Sequence, residues 1–383
     1  SRSRTWSSTC SLGSSTSIYD FDACRTGSSI SRIHAGMSTP PKARVRVALT
    51  IGDVNGIGPE VALKTVQVLS GSEAIEPVLV GPEPLWRNAL DQARSGRGGT
   101  DLTDELGWGD VVEDAEIEDV AMEPADSSLP RPGAISAEAG RVAMRAVERA
   151  VDLCAEGTVS AMVTAPISKE GVRAAGWEIP GHTEFIADRV GTPGYAMMMT
   201  AEELRVALLT THVPLRAVAE LLDRTLIEEK LDVVVRALRT DFGIADPSIA
   251  VLGLNPHAGD GGVIGTEEES LIRPLLAERI EAGHSVDGPF AADAFFARQR
   301  YESFDAILAP YHDQGLIPFK MLAAGKGVNV TVGLPIVRTS PDHGTAFDIA
   351  GTGRADPSSM VAAVRLAATI ARRRLAQVSH ADE

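Results

Sequence analysis

The first regular pattern of apolar and polar positions begins at Arg44. Val45, Val47, Leu49 and Ile51 alternate with their neighbours, the period-two signature of a strand. The run Gly52-Asp53-Val54-Asn55-Gly56-Ile57-Gly58-Pro59-Glu60 then predicts a turn that opens a helix. Pro59 suits the first helical position, where an N–H would have no partner, and Glu60 complements the positive end of the helix. Val61, Ala62, Val66 and Leu69 supply its buried stripe. Val78-Leu79-Val80 predicts a second strand, stopped by Gly81-Pro82.

Between Ala93 and Pro132 the periodicity weakens among Gly, Asp and Glu, which predicts loops and short elements. A helix resumes near Ser136, with Val142, Ala143, Ala146, Val147, Ala150 and Val151 on one face. Further strands are predicted at 161–164, 196–199, 206–210, 249–252, 306–308 and 328–332, with helices such as 225–238 and 267–282 between them. Strands alternating with helices mean an α/β fold with a largely parallel sheet. No internal repeat or heptad run interrupts this order.

Composition narrows the function. The chain has 383 residues, room for about two domains or one large α/β unit. Its formal net charge of −16 argues against nucleic acid and anionic membranes as partners, because a negative field repels phosphate backbones. A phosphorylated small molecule is still compatible, since a few local cations suffice for it. No apolar run reaches the roughly 20 residues that span a bilayer. The three cysteines, Cys10, Cys24 and Cys154, form no CxxC pair and no zinc spacing, so the expected compartment is the cytoplasm. Cys154 falls on an apolar helical stripe and reads as core rather than nucleophile.

Ser1 to Gly36 has another character, rich in Ser and Arg and poor in acids. It resembles an organelle transit peptide; upstream sequence preceding a start at Met37 is the other reading. Residues 1–43 are expected to be disordered and are set aside from the fold.

The candidate chemistry lies in the histidines. His182, His212, His257, His312 and His343 occupy Gly- or Pro-containing turns after predicted strands or in loops. His34, His284 and His380 fall in the tails or at a helix end and read as solvated. Carboxyl ends of parallel strands form the ligand crevice of α/β folds, so His212, His257 and His312 can converge on one point. Three neutral imidazoles leave open positions on a divalent ion, the arrangement of a catalytic metal. Each histidine taken alone is equally a satisfied polar residue. A second group, Lys320, Lys326, Asn329 and Arg338, suits phosphate or carboxylate through charge-assisted hydrogen bonds, though each cation singly reads as a surface charge. Lys320 is expected in a turn with Gly315 and Pro318. Gly56-Ile57-Gly58 lacks the third glycine of a Rossmann fingerprint, and neither a P-loop nor a Gly-x-Ser-x-Gly elbow is present.

Six motifs then carry a resemblance. Gly-Ile-Gly-Pro-Glu at Gly56, Gly-His-Thr-Glu-Phe at Gly181, Thr-Thr-His-Val-Pro-Leu at Thr210, Gly-Leu-Asn-Pro-His-Ala-Gly at Gly253, Tyr-His-Asp-Gln-Gly at Tyr311 and Arg-Thr-Ser-Pro-Asp-His-Gly-Thr-Ala at Arg338 stand in the order of the 4-hydroxythreonine-4-phosphate dehydrogenases of vitamin B6 synthesis. The chain resembles that family over nearly everything after Met37. Asp342 to Gly351 also resembles the adenosine-binding loop of isopropylmalate and isocitrate dehydrogenases, which explains how a nucleotide binds without a Rossmann fingerprint.

The resemblance implies a two-lobed isocitrate/isopropylmalate dehydrogenase-like fold, with lobes of residues 44–165 plus 322–383 and 166–321 around an active-site cleft. It implies a homodimer in which the partner subunit completes the site. By motif, His212, His257 and His312 would bind one divalent metal (Zn, or Mg, Mn or Co); His182, Thr183, Lys320, Asn329 and Arg338 would contact substrate; and His343, Gly344, Thr345, Ala346 and Asp348 would bind NAD or NADP. Lys320 and Asp313 are both candidates for the catalytic proton transfer. The implied reaction oxidises 4-phosphooxy-L-threonine at C3 and decarboxylates the product to 3-amino-2-oxopropyl phosphate. Relatives acting on 4-phospho-D-threonate or 4-phospho-D-erythronate are the alternative, with a phosphate acyltransferase-like protein or a non-catalytic binding paralogue behind them. Two departures stand out: Val54-Asn55 where the family more often has Pro-Ala, and a longer segment around 95–109.

Overall fold

The structure, a computed structural model, describes residues 44–94, 115–178 and 181–381. The N-terminal extension and the long segment at 95–109 lie outside the described residues. Eleven strands are described: β1 (Val45–Thr50), β2 (Ile75–Val80), β3 (Glu116–Glu118), β4 (Ala161–Val163), β5 (Ala196–Ala201), β6 (Leu204–Leu208), β7 (Ser248–Leu252), β8 (Ser285–Phe290), β9 (Ala306–Ala309), β10 (Val328–Val332) and β11 (Arg338–Pro341). They form one sheet in the order β3-β2-β1-β4-β11-β10-β5-β6-β9-β7-β8.

The sheet is largely parallel, as the alternation of elements predicted. Its antiparallel contacts are confined to the middle, where β10 pairs with both β11 and β5, and β5 turns back on β6. These reversals make β6, β9 and β7 run opposite to β1 and β4. The turn after β1 and the loop after β11 therefore lie at one end of the strands. The segments after β6, β9 and β7, which carry His212, His312 and His257, lie at the other.

Local chemistry explains the elements that frame the site. β1 sits between β2 and β4, and its apolar positions are buried. The helix Gly58–Leu69 follows with Pro59 in its first turn and Val61, Ala62, Val66 and Leu69 buried, as the stripe predicts. Ser136 caps the helix Ala137–Ala155 by accepting from the Ala139 N–H at 3.1 Å. The long helix Ser358–Ala381 lays Ala363, Ala367, Ala368 and Ala371 against β1, β4 and β11. Arg374 on it grips buried Asp241 with two bonds of 2.7 and 2.8 Å. Burial pushes the Cys154 thiol up to about 12, which removes it as a nucleophile at neutral pH.

One expectation is corrected. Lys320 is not in a turn; it lies on the helix His312–Ala323, which continues through Gly315 and Pro318. Pro318 removes one backbone donor, but Leu316, Phe319 and Ala323 bury a continuous face against β6 and β9, and that packing holds the helix together. No helix among the described residues is long and apolar enough to cross a membrane.

Candidate active site

Arg338 begins β11 and is 2% exposed. Its guanidinium donates to Thr164 Oγ1 at 2.7 Å, Thr331 Oγ1 at 3.1 Å and Thr183 Oγ1 at 3.4 Å. These three hydroxyls come from the end of β4, from β10 and from the helix His182–Arg189. No carboxylate pairs with this cation among the described residues, and its Nε has no partner at all. Burial drives its pKa down to about 10, which still leaves it positive at neutral pH. A buried charge held only by neutral hydroxyls is costly unless an anion joins it. Arg338 is therefore a buried cation with capacity for an anion rather than a surface charge.

His182 adjoins it. Burial lowers the pKa of its ring well below the ordinary value, and the charges of Arg338 and Lys169 lower it further, so the imidazole stays neutral. Among the described residues its Nε2 is buried without a partner, and so is Asn329 Oδ1 on β10. Unsatisfied polar atoms grouped around a buried guanidinium are what a polar anionic ligand would complete.

The second part of the site is a histidine pair. Thr210 at the end of β6 donates to the Pro310 carbonyl at the end of β9 through both its hydroxyl (2.7 Å) and its N–H (3.1 Å), fastening the two strand ends together. His212 and His312 follow, with ring centroids 6.1 Å apart. Each ring has its Nδ1 on a carboxylate: His212 on Glu184 Oε1 at 3.1 Å, and His312 on Asp313 Oδ1 at 2.7 Å. Such carboxylates fix the tautomer that leaves Nε2 free as a metal ligand. The pair thus fits a divalent ion in donor type. Burial would raise the Glu184 pKa, but its bonds to the His212 ring and the backbone hold it below the ordinary carboxylate range.

The three histidines are not all brought together. Among the described residues no three His, Cys, Asp or Glu side chains group as a metal site. His257 is exposed on the segment Pro256–Gly262, where His257 through Gly261 all adopt positive φ. Asn255 and the fully buried Glu268 hold the base of that segment through bonds of 2.7 and 3.0 Å. Lys320 lies eight residues along the helix from His312, about 12 Å at 1.5 Å per residue. It pairs with Asp342 at 2.9 Å.

The loop His343–Asp348 packs on the turn after β1. Ile57 N–H donates to the Thr345 carbonyl at 2.9 Å, and a Cβ on Gly56 would come within 2.7 Å of that oxygen, so only glycine fits there. His343 Nδ1 contacts the Gly344 carbonyl at 3.1 Å, and its Nε2 is buried without a partner among the described residues. Ala346 takes φ 42°, and Asp348 is exposed. The Asn55 departure has a physical role: its Oδ1 accepts from Arg131 N–H at 2.6 Å and its Nδ2 donates to the Ala134 carbonyl at 2.8 Å, pinning 131–134 beside this loop. Sequence reasoning missed Glu184, Thr164 and Thr331. Glu184 stood inside the Gly-His-Thr-Glu-Phe motif, which was the available signal.

Comparison with known proteins decides the family. The model of the family described as pyridoxal phosphate biosynthetic protein PdxA matches residues 73–367. The chain belongs to the PdxA family. A PdxA relative from Bacteroides thetaiotaomicron, a 4-hydroxythreonine-4-phosphate dehydrogenase, is 43% identical over 336 residues, 86% of this chain and 90% of its own length. The enzyme of the same name from Prosthecochloris aestuarii is 45% identical over 342 residues, 87% of this chain and 99% of its own. The solved structure of the Klebsiella pneumoniae 4-hydroxythreonine-4-phosphate dehydrogenase matches with a TM-score of 0.72 at 38% identity, covering 86% of this chain and 100% of that one. A terephthalate 1,2-cis-dihydrodiol dehydrogenase from Burkholderia xenovorans matches at 0.58 and 32% identity, over 85% and 98%. The PdxA chain described here is thus a relative of named oxidoreductases over most of its length.

Proposed function

We propose that the chain oxidises 4-phosphooxy-L-threonine at C3 with NAD(P) and a divalent metal, and that the product decarboxylates to 3-amino-2-oxopropyl phosphate. The observation that carries the anionic substrate is Arg338, a buried guanidinium with three hydroxyls and no carboxylate. Balance is simple: the alcohol loses a hydride from C3 and a proton from oxygen, and the β-keto acid then loses CO2 and regains a proton at C2. When bound, the metal would supply Lewis acidity for the negative oxygen and NAD(P) would accept the hydride.

The chain's own residues do the rest. Arg338, His182 and Thr183 bind and orient the anionic end, with Asn329 beside them. His212 and His312 are the metal-holding pair, kept in the ligating tautomer by Glu184 and Asp313. Asp313 and Lys320 are the candidates for proton transfer, Asp313 next to the pair of its own chain and Lys320, a cation balanced by Asp342, toward the site shared with the partner subunit. His343, Gly344, Thr345, Ala346 and Asp348 form the nucleotide loop at the far end of the strands. An extended dinucleotide is the kind of ligand that reaches from that end to the histidines, across a cleft between lobes 44–165 plus 322–383 and 166–321.

A homodimer with a shared site belongs to this reading. The separation of about 12 Å between His312 and Lys320 along one helix, and the exposure of His257 outside any three-residue metal grouping among the described residues, favour a site completed by the partner subunit. The same helix exposes Ile317 (59%), Met321 (78%) and Leu322, and Val263 near His257 is 81% exposed. The variant Ile317→Glu with Met321→Glu is expected to sediment as a monomer and to lose at least ~100-fold in kcat/KM, in line with a buried interface core. A monomeric variant with full activity would show that each chain carries its own complete site.

A further inference from the structure

We propose that Glu268 is the positioning residue for His257, holding the left-handed turn that presents this imidazole to the divalent ion. The inference rests on the reading of His257 as a metal ligand and adds the group that places it. From His257 to Gly261 every residue has positive φ, between 46° and 80°. Three of them, His257, Ala258 and Asp260, carry a Cβ that crowds the following carbonyl in this conformation, so a consecutive run is costly. Such a run persists only where its surroundings over-determine it.

One carboxyl does this. Asn255 N–H donates to Glu268 Oε1 at 2.7 Å, and Asn255 Nδ2 donates to Glu268 Oε2 at 3.0 Å. On the other side of His257, a Cβ on Gly259 would stand 2.6 Å from the same Oε2, so the glycine backbone lies directly against the carboxyl. A Cβ on Gly253, just after β7, would meet Glu268 Oε1 at 3.2 Å and Ala258 Cα at 3.0 Å, which seats the turn on the strand end. His257 therefore lies midway between two residues fixed by Glu268, with Ala258 buried and the imidazole exposed.

Closing the loop alone does not call for such a group. Glu268 is fully buried, and no cation pairs with it among the described residues. It opens the π-helical turn Glu268–Ile272 ahead of the helix Arg273–Glu281. Turns of that kind interrupt a regular helix and recur at functional sites. Here the turn accompanies two successive side chains on one amide, because Glu267 Oε2 also accepts from Asn255 Nδ2, at 2.8 Å. An apolar side chain would cover the loop without the cost of burying a carboxyl. What the carboxyl adds is a fixed direction for the chain as it leaves β7, and that direction decides where the His257 ring can reach.

The test is a double-mutant cycle of Glu268→Gln and His257→Ala, with the Zn2+ affinity of the purified full chain read by competition with a fluorescent chelator. Gln has the same shape but sets an NH2 against the donors of Asn255, so one hydrogen bond becomes a donor–donor contact. We expect Glu268→Gln alone to weaken Zn2+ binding about 30-fold. Where His257 is already Ala, the same change should shift the affinity by less than about 3-fold. A purely structural Glu268 lowers the urea midpoint and leaves the Zn2+ affinity of the folded chain unchanged, which overturns the proposal. Should Glu268→Gln fail to fold, Asn255→Ala takes its place in the cycle with the same two expectations. His257→Ala that binds Zn2+ as tightly as wild type overturns the ligand reading and this inference together. Weakened binding in His257→Ala, with an equal further loss on adding Glu268→Gln, overturns this inference alone.

Discussion

Arg338→Met is expected to lower kcat/KM for the phosphorylated substrate by roughly 10²–10³-fold while leaving the fold as stable as wild type or more so. The two effects have one cause. A buried guanidinium without an anionic partner is held at a desolvation cost, and a long apolar side chain of similar volume removes that cost. Thr183 and Thr331, 3.3 Å apart, can still bond each other when the guanidinium is gone. The substrate loses a charge-assisted anchor and nothing in the apo protein replaces it. Urea midpoints with initial rates on the same preparations read both quantities. A variant that is strongly destabilised yet keeps kcat/KM would make Arg338 a structural group and would remove the main support for an anionic substrate.

The second large effect is expected at the histidine pair. His212→Ala should weaken divalent-ion binding by about three orders of magnitude and reduce turnover to background, since one of few imidazole ligands is gone. The half-buried ring contributes little to the core, so the cooperative unfolding transition should persist. Asp313→Asn should act more mildly, about 10–100-fold on metal affinity, because it changes only the group that orients His312. His212→Ala with normal turnover in metal-free buffer would sink the metal role of the pair.

Much of the scaffold was legible because it rests on local periodicity. The alternation from Val45 to Ile51 and the stripe from Val61 to Leu69 gave β1 and its helix almost residue by residue. β11 was not visible, because Arg338-Thr339-Ser340-Pro341 has no apolar period; it is buried by hydroxyl and guanidinium partners that lie up to 174 residues away in sequence. For the same reason no local pattern marked Arg338 as buried: its motif named it as a substrate contact, and only the structure places Thr164, Thr183 and Thr331 around it. β8 is similar, with Asp287-Gly288-Pro289 interrupting it. Gly315 and Pro318 read as helix breakers around Lys320, and tertiary packing of Leu316 and Phe319 overrode them.

The site itself was half legible. Strand-end turns correctly suggested that His212 and His312 meet, since β6 and β9 are parallel neighbours. They do not fix the angle at which a loop leaves its strand, and the left-handed run from His257 to Gly261 sets that for the third histidine. Glu184 escaped because a carboxylate two residues after His182 acquires meaning only when His212 is found against it, 28 residues on.

The most direct test of the account is nicotinamide reduction by purified protein with 4-phosphooxy-L-threonine and NAD or NADP, followed by absorbance with and without added divalent metal. The account predicts reduction that requires both the phosphorylated amino acid and the metal, with 3-amino-2-oxopropyl phosphate and CO2 as products. Reduction that proceeds equally in metal-free buffer, or none with this substrate under metal-replete conditions, would contradict it.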